Sequence, residues 1–494
     1  MSGSLLGLSY IHSALIAVSL LVVASVMAAP RLTVVVVVDG LRQDNLDQLR
    51  PYWQQGALRT LSEEAYQTVC SFPHLVYGGN ETTATIMTGT TPSHHGYAMD
   101  NYFSRSDRRV HPLLEDDNQK GIGISTAYSP VALLSPTIGD NFRMRVGEKA
   151  KIFAIGIQPE TTILMAGHSA NACCWINPEK QAWVSTSFYP LGLPSAADEM
   201  NVNGRFAELV EKVWTPRMNI TSYTSPTVEE IRKPFSYKTA DVLTHSPVAN
   251  TLVVELALAL QKDEALGTDA TPDLLFLQFN TVTPNAMADR IQSAEQEDIH
   301  LWLNQDFGYL MEQLIKRLGK QNVEFLVVGR PVLGIGQKTM QLAGLSAKDF
   351  NVDRAAALTS SFLMALYGHE RWVNGGYGNG IYLNRTLIAQ KKNSLETMQR
   401  QVANFLLDFE GVQAAFPQNE AIMYPDLASS LNKKQTGDIV FTLLPGWRLC
   451  ENDKNIIDNV IEANPTAPVM YWSANFLQFP EGPLSATEII NLVQ

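Results

Sequence analysis

A run of five valines ends in a carboxylate: Val34-Val35-Val36-Val37-Val38-Asp39-Gly40. So continuous a β-branched run predicts a strand buried on both faces, the pattern of a parallel sheet. Ligands of open α/β sheets bind at the carboxyl ends of such strands, which makes Asp39 a candidate for chemistry; capping a following helix is its plainer role. The pair His94-His95 invites a metal reading, but adjacent side chains diverge on a helix or a strand. Cys70, Cys173, Cys174 and Cys450 show no zinc-cluster spacing, and neighbours such as Cys173 and Cys174 rarely bridge each other, so all four are expected as buried or singly paired structural residues. The stretch Gly375-Gly376-Tyr377-Gly378-Asn379-Gly380 lacks a Lys and a following helix start, so a flexible loop is expected there and not a nucleotide cradle. Trp175, Trp183, Tyr189, Trp372 and Tyr377 fit either a ligand groove or a core, and the core is the simpler expectation.

These residues need elements to hold them. Further strands are predicted at 151–157, 274–279 and 324–328, with amphipathic helices at 251–261 and 296–318. The alternation predicts an α/β fold with a doubly wound, mostly parallel sheet. Segments 187–203 and 214–236, rich in Pro, Ser and Asn, are expected as insertions over the sheet, within a cap region spanning 187–236. A smaller α+β subdomain is expected at 371–446, around a helix at 394–409. Residues 1–29 have the form of a secretory signal, with small residues at Ala28-Ala29; the alternative is a retained anchor. An exported, periplasmic location follows, with any membrane contact limited to that segment. A net charge of −12, from 37 basic and 49 acidic residues, disfavours nucleic-acid binding.

The segment from Val34 through Asp39-Gly40-Leu41-Arg42-Gln43-Asp44 resembles the opening of type I phosphodiesterase/nucleotide pyrophosphatase domains of the alkaline phosphatase superfamily. It is most similar to the PafA-type periplasmic alkaline phosphatases. Phe72-Pro73, Thr88-Gly89-Thr90-Thr91-Pro92-Ser93-His94-His95-Gly96 and Ala166-Gly167-His168 continue the likeness in order. Ile381-Tyr382-Leu383-Asn384, Gly437-Asp438-Ile439-Val440 and Leu444-Pro445-Gly446-Trp447 extend it to the C-terminal half.

The resemblance implies phosphate-ester hydrolysis with two zinc ions and a Thr or Ser nucleophile at a helix N-terminus. Two metals about 4 Å apart would activate the nucleophile and neutralise the leaving oxygen. Each zinc needs at least three protein ligands. Asp39 stands at the first ligand position. The nucleophile position falls on Gly79, and 74–81 holds no Ser or Thr; Thr82 and Thr83 are the nearest hydroxyls. The second ligand set falls on Thr283 and Met287, the third on Gly329 and Arg330, and the last histidine on Thr466. The phosphate-clamping Lys and Arg fall on Gln158 and Glu160, and the clamping Asn on Asp100 or, with a one-residue slip, Asn101.

Only Asp39 keeps its family role, and one carboxylate does not make a dinuclear zinc site. The expectation is therefore a pseudophosphatase with no resident cofactor, binding a small ligand or an envelope protein. Arg330 is expected to neutralise Asp39 as a buried ion pair. Asp39, Asp100 and Glu160 would alternatively share the vacated pocket, as oxygen ligands for Ca²⁺ or Mg²⁺ or as an acid–base pair. His168 is expected to be a hydrogen-bonded structural histidine. The rival expectation is an active phosphoric-ester hydrolase with a relocated site at Thr82 or Thr83, and then with bound zinc.

Overall fold

The computed structural model describes residues 29–77, 80–223, 235, 238–283, 293–331, 344, 346, 348–432, 434–451, 455–457, 462–463, 465–475 and 479–493. The signal-like segment through residue 28, Gly79 and Met287 lie outside the described residues.

The valine run forms strand β1 (Leu32–Asp39), buried at every position. Val34, Val36 and Val38 face one core layer and Val35 and Val37 the other, which is why the run shows no polar alternation. The sheet also contains β2 (Tyr66–Ser71), β3 (Ile152–Gly156), β4 (Ala172–Asn177), β5 (Ala182–Thr186), β6 (Asp273–Asn280), β7 (Val323–Arg330) and β8 (Thr466–Ser473). Short pieces at Gly121–Ile122 and Leu484–Ser485 complete ten strands, in the order Leu484–Ser485, β2, β8, β7, β1, β6, β3, β4, β5, Gly121–Ile122. From β7 through β1, β6 and β3 to β4 every pairing is parallel; β8 runs antiparallel between β7 and β2, and β5 runs antiparallel to β4.

Helices cover both faces. On one lie α1 (Asn80–Thr88) and α2 (Pro159–Ala166), and on the other α3 (Pro247–Asp263) and α4 (Ala294–Leu318). The fold is thus a doubly wound α/β sheet, mostly parallel with antiparallel strands toward both edges. Among the described residues no single helix is long and apolar enough to cross a membrane. Ala196, Phe206 and Trp214 from the expected insertion belong to the same core layer as α3, so this region closes one face of the sheet.

A second core lies toward the C-terminus. It runs from Phe350 to Leu449, beyond the expected 371–446 on both sides, because α5 (Val352–Tyr367) packs into it with α6 (Leu395–Leu406). Its sheet has four antiparallel strands, Val373–Tyr377, Gly380–Leu383, Ile439–Leu443 and Val412–Pro417.

The glycine-rich stretch is a correction: it is no flexible loop but the hairpin joining the first two of these strands. Cβ atoms would meet Phe103 at Gly375 and Val352 at Gly376, so glycine is needed for packing there. The five aromatic residues that fitted a groove or a core are all buried, Trp175, Trp183, Tyr189 and Trp372 at 2% exposure or less and Tyr377 at 5%. All four cysteines are buried, and Cys70, Cys173 and Cys174 are free thiols.

Candidate functional site

Strands β1, β6, β7 and β3 end together, as parallel strands must, and their last residues build the site. Asp39 closes β1 and is register partner to both Asn280 on β6 and Arg330 on β7. Gly40 then turns the chain at φ +78°, and a Cβ there would lie 2.8 Å from Val282 Cγ2. Thr281 fixes the turn, its amide and its hydroxyl both donating to the Asp39 carbonyl at 2.8 and 2.7 Å.

The Asp39 side chain is 4% exposed. Arg330 Nε lies 2.8 Å from Oδ1, yet Oδ1 accepts no hydrogen bond, so the contact is an ion pair without in-line N–H geometry. Gln278 Nε2 donates to Oδ2 at 2.8 Å. Gln278 Oε1 accepts from the amides of Ile157 and Gln158 at 2.8 and 3.0 Å, which fixes the orientation of the side-chain amide. Burial pushes the Asp39 carboxyl above its usual range, opposed by Arg330, Gln278 and nearby His245. The expected ion pair is therefore present, and it carries a third partner in Gln278.

Arg330 reaches further. Its Nη1 donates to Asn80 Oδ1 at the start of α1 and, at 3.0 Å, to Thr161 Oγ1 on α2. Thr161 Oγ1 donates in turn to Asn80 Oδ1 at 2.7 Å. Asn80 Nδ2 donates to Asp100 Oδ2 at 3.0 Å, and the Tyr97 hydroxyl donates to Asp100 Oδ1 at 2.7 Å. So Asp100 faces the site, while Asn101 begins a hairpin strand paired with Pro112.

Glu160 lies in the first turn of α2, partly buried. Burial, and then the Asp100 charge, push its carboxyl up to about 7, with Arg330 opposing and Glu115 adding to the rise. This wall of the site carries two carboxylates, those of Glu160 and Asp100.

The other predicted positions are not brought into a metal cage. Thr283 is fully buried at the end of the described β6 turn, and Thr466 is exposed at the start of β8 opposite Ser71. Gly329 is packed shut: a Cβ there would sit 2.5 Å from the Leu41 carbonyl oxygen and 2.8 Å from Pro468 Cδ. Among the described residues no three His, Cys, Asp or Glu side chains are grouped to hold a metal. The residues present do not fit a dinuclear zinc centre, because a fixed cation stands against the one carboxylate and no aspartate fits beside it. Thr82 and Thr83 are both fully buried, and the Thr83 hydroxyl has no hydrogen-bond partner. Neither is open to a substrate from solvent.

The histidines singled out in the sequence make local contacts. His95 is buried between Thr85 and the Tyr97 amide, while His94 is exposed beside Thr91 and Ser93. His168 pairs with Asp140 at 2.9 Å and with the Leu133 carbonyl at 3.1 Å. The sequence reading passed over Gln278, Asn80, Thr161, Tyr97 and His245. His245, just before α3, bonds the Val282 carbonyl at 3.1 Å and lies within electrostatic reach of Asp39. For Gln278 a signal was available: it is the one polar residue inside the apolar strand 274–279, and such a group needs partners.

Comparison with known proteins decides the lineage. The type I phosphodiesterase / nucleotide pyrophosphatase family matches residues 33–463. The chain belongs to that family. Within the alkaline phosphatase superfamily its relatives are PafA-like. Alkaline phosphatase PafA of Elizabethkingia meningoseptica is 23% identical over 475 residues, covering 87% of this chain and 84% of the relative. Alkaline phosphatase PhoV of Synechococcus elongatus is 22% identical over 455 residues, covering 85% and 81%. The crystal structure of wild-type PafA superposes with a TM-score of 0.83 at 20% identity, covering 93% of this chain and 94% of the other.

Proposed function

We propose that this chain is an exported pseudophosphatase of the PafA type, which binds a ligand or an envelope protein at the ends of β1, β6 and β7 without hydrolysing phosphate esters. One observation carries the reading: Arg330 stands 2.8 Å from Asp39, at the position where the family resemblance calls for a zinc ligand. A guanidinium has only donors and stays charged when buried, so it cannot coordinate a metal and would repel one. The wall supports the same reading. Glu160 and Asp100 oppose a phosphate dianion where Lys and Arg would bind it, and the surroundings favour a ligand that donates hydrogen bonds. Location outside the cytoplasm rests on the signal-like first 29 residues.

The second reading is an active phosphoric-ester hydrolase, favoured by the names of the relatives, which are alkaline phosphatases. Metal content decides between them, measured with hydrolysis of p-nitrophenyl phosphate and its bis ester on protein purified without chelators. Absence of zinc and of turnover supports the pseudophosphatase. Stoichiometric zinc with turnover abolished by Asp39→Ala restores the enzyme.

A further inference from the structure

We infer that Arg330 is a built-in cation performing the structural work of the metal ion this fold would otherwise hold, so that the folded centre is complete without any divalent ion. The inference rests on the metal-free reading above and adds what replaces the metal.

The first argument is connectivity. A metal at the strand ends fastens side chains from separate elements to one positive point. Arg330 does this with one side chain, from its own β7: Nε to Asp39 on β1, Nη1 to Asn80 on α1 and to Thr161 on α2. Helices α1 and α2 are thereby tied to the strand ends through polar groups in the protein interior, where an unpaired donor or acceptor is costly. The planar guanidinium suits the task, because its several N–H groups point in fixed and different directions. A lysine would supply the charge without the fork.

The second argument is closure. Beside Arg330, the backbone of Gly329 lies against the Leu41 carbonyl and the Pro468 ring, leaving no room for a Cβ. An ion at the old position would find no side chain at 329 and an Asp39 already engaged, since Gln278 holds Asp39 Oδ2 and Arg330 stands at Oδ1. Charge is balanced one against one at the pair, where a divalent ion would need a second carboxylate.

The test is a double-mutant cycle read by thermal melting, beside wild type melted with EDTA and with zinc chloride. Arg330→Met leaves the Asp39 carboxylate buried and uncompensated, and its Tm falls by roughly 3–5 °C. Asp39→Asn in the Arg330→Met background recovers part of that loss, because it removes the stranded charge. Arg330→Lys keeps the charge but loses the bridges to Asn80 and Thr161, and still loses half or more of the shift. Should Arg330→Met fail to fold, the cycle between Arg330→Lys and Asp39→Asn serves in its place. Wild type melts at one temperature with EDTA or zinc. Purely additive effects, or an Arg330→Lys protein as stable as wild type, overturn the inference while leaving the metal-free reading intact. Stoichiometric zinc in the wild type, or a Tm lowered by EDTA, overturns both.

Discussion

Gln278 joins Asp39 to the start of helix α2, donating from Nε2 to the Asp39 carboxylate while Oε1 receives the amides of Ile157 and Gln158. One fully buried side chain therefore serves a carboxylate and two backbone donors on different elements. Gln278→Leu fills the same space and strands all three groups. Loss of about 2–4 kcal/mol is expected, measured by urea denaturation. A change below about 0.5 kcal/mol would mean that water takes over these bonds.

Glu160 gives the protein a pH dependence in the neutral range. Its folded carboxyl is raised from 4.5 to about 7, by burial first and by Asp100 second. The folded state therefore holds a proton that the unfolded chain releases between these values. The sign follows: this contribution is fully present below pH 4.5 and is lost as pH rises through about 7. Because the side chain is partly open to solvent, the effect is on the order of 1–2 kcal/mol. Glu160→Gln should flatten the Tm profile between pH 5 and pH 8, and a variant with the wild-type slope would assign that slope elsewhere.

Gly329→Ala tests the closed backbone directly. The added methyl meets a main-chain carbonyl and a proline ring, neither of which can swing aside. A penalty of about 2–3 kcal/mol is expected from overpacking, with a lowered denaturation midpoint. An alanine variant as stable as wild type would show that the position has room after all.

Asp438 ties the C-terminal sheet to its surroundings. It has no exposed side-chain surface, and it receives Arg105 from the 101–112 hairpin at 2.5 Å, Arg385 at 2.5 Å and the Leu383 amide at 2.7 Å. Asp438→Ala leaves two guanidiniums without their carboxylate and should cost about 3–5 kcal/mol. Arg105 bridges from the hairpin, so limited proteolysis should cut first between 101 and 112. Unchanged cleavage there would show that Arg105 is not what holds the hairpin.

How much of this was legible in the sequence depended on whether a residue's partners lie near it in the chain. Asp39 announced itself because a single carboxylate ends a run of valines, and the run itself specified a buried parallel strand. Arg330 could be placed opposite Asp39 only through the family resemblance, which set both residues at metal-ligand positions. The links through Asn80, Thr161 and Tyr97 were not legible: each is an ordinary polar residue whose partner comes from a distant element. The hairpin at 373–383 was misread because glycines required by Phe103 and Val352 look, in sequence, like glycines required for freedom. The second core was placed too narrowly because α5 contributes to it from before residue 371.

The tight fit at Gly329 bears on history as well as on stability. To place an aspartate there, Leu41 and Pro468 must first give way, and neither change is rewarded until the aspartate arrives. A histidine in place of Arg330 gains nothing while its neighbour is missing, and meanwhile gives up the partner of Asp39. Each single substitution toward a metal centre at this place thus passes through a less stable protein. The packing around Gly329 works here as a ratchet, holding these two strand-end positions as they are.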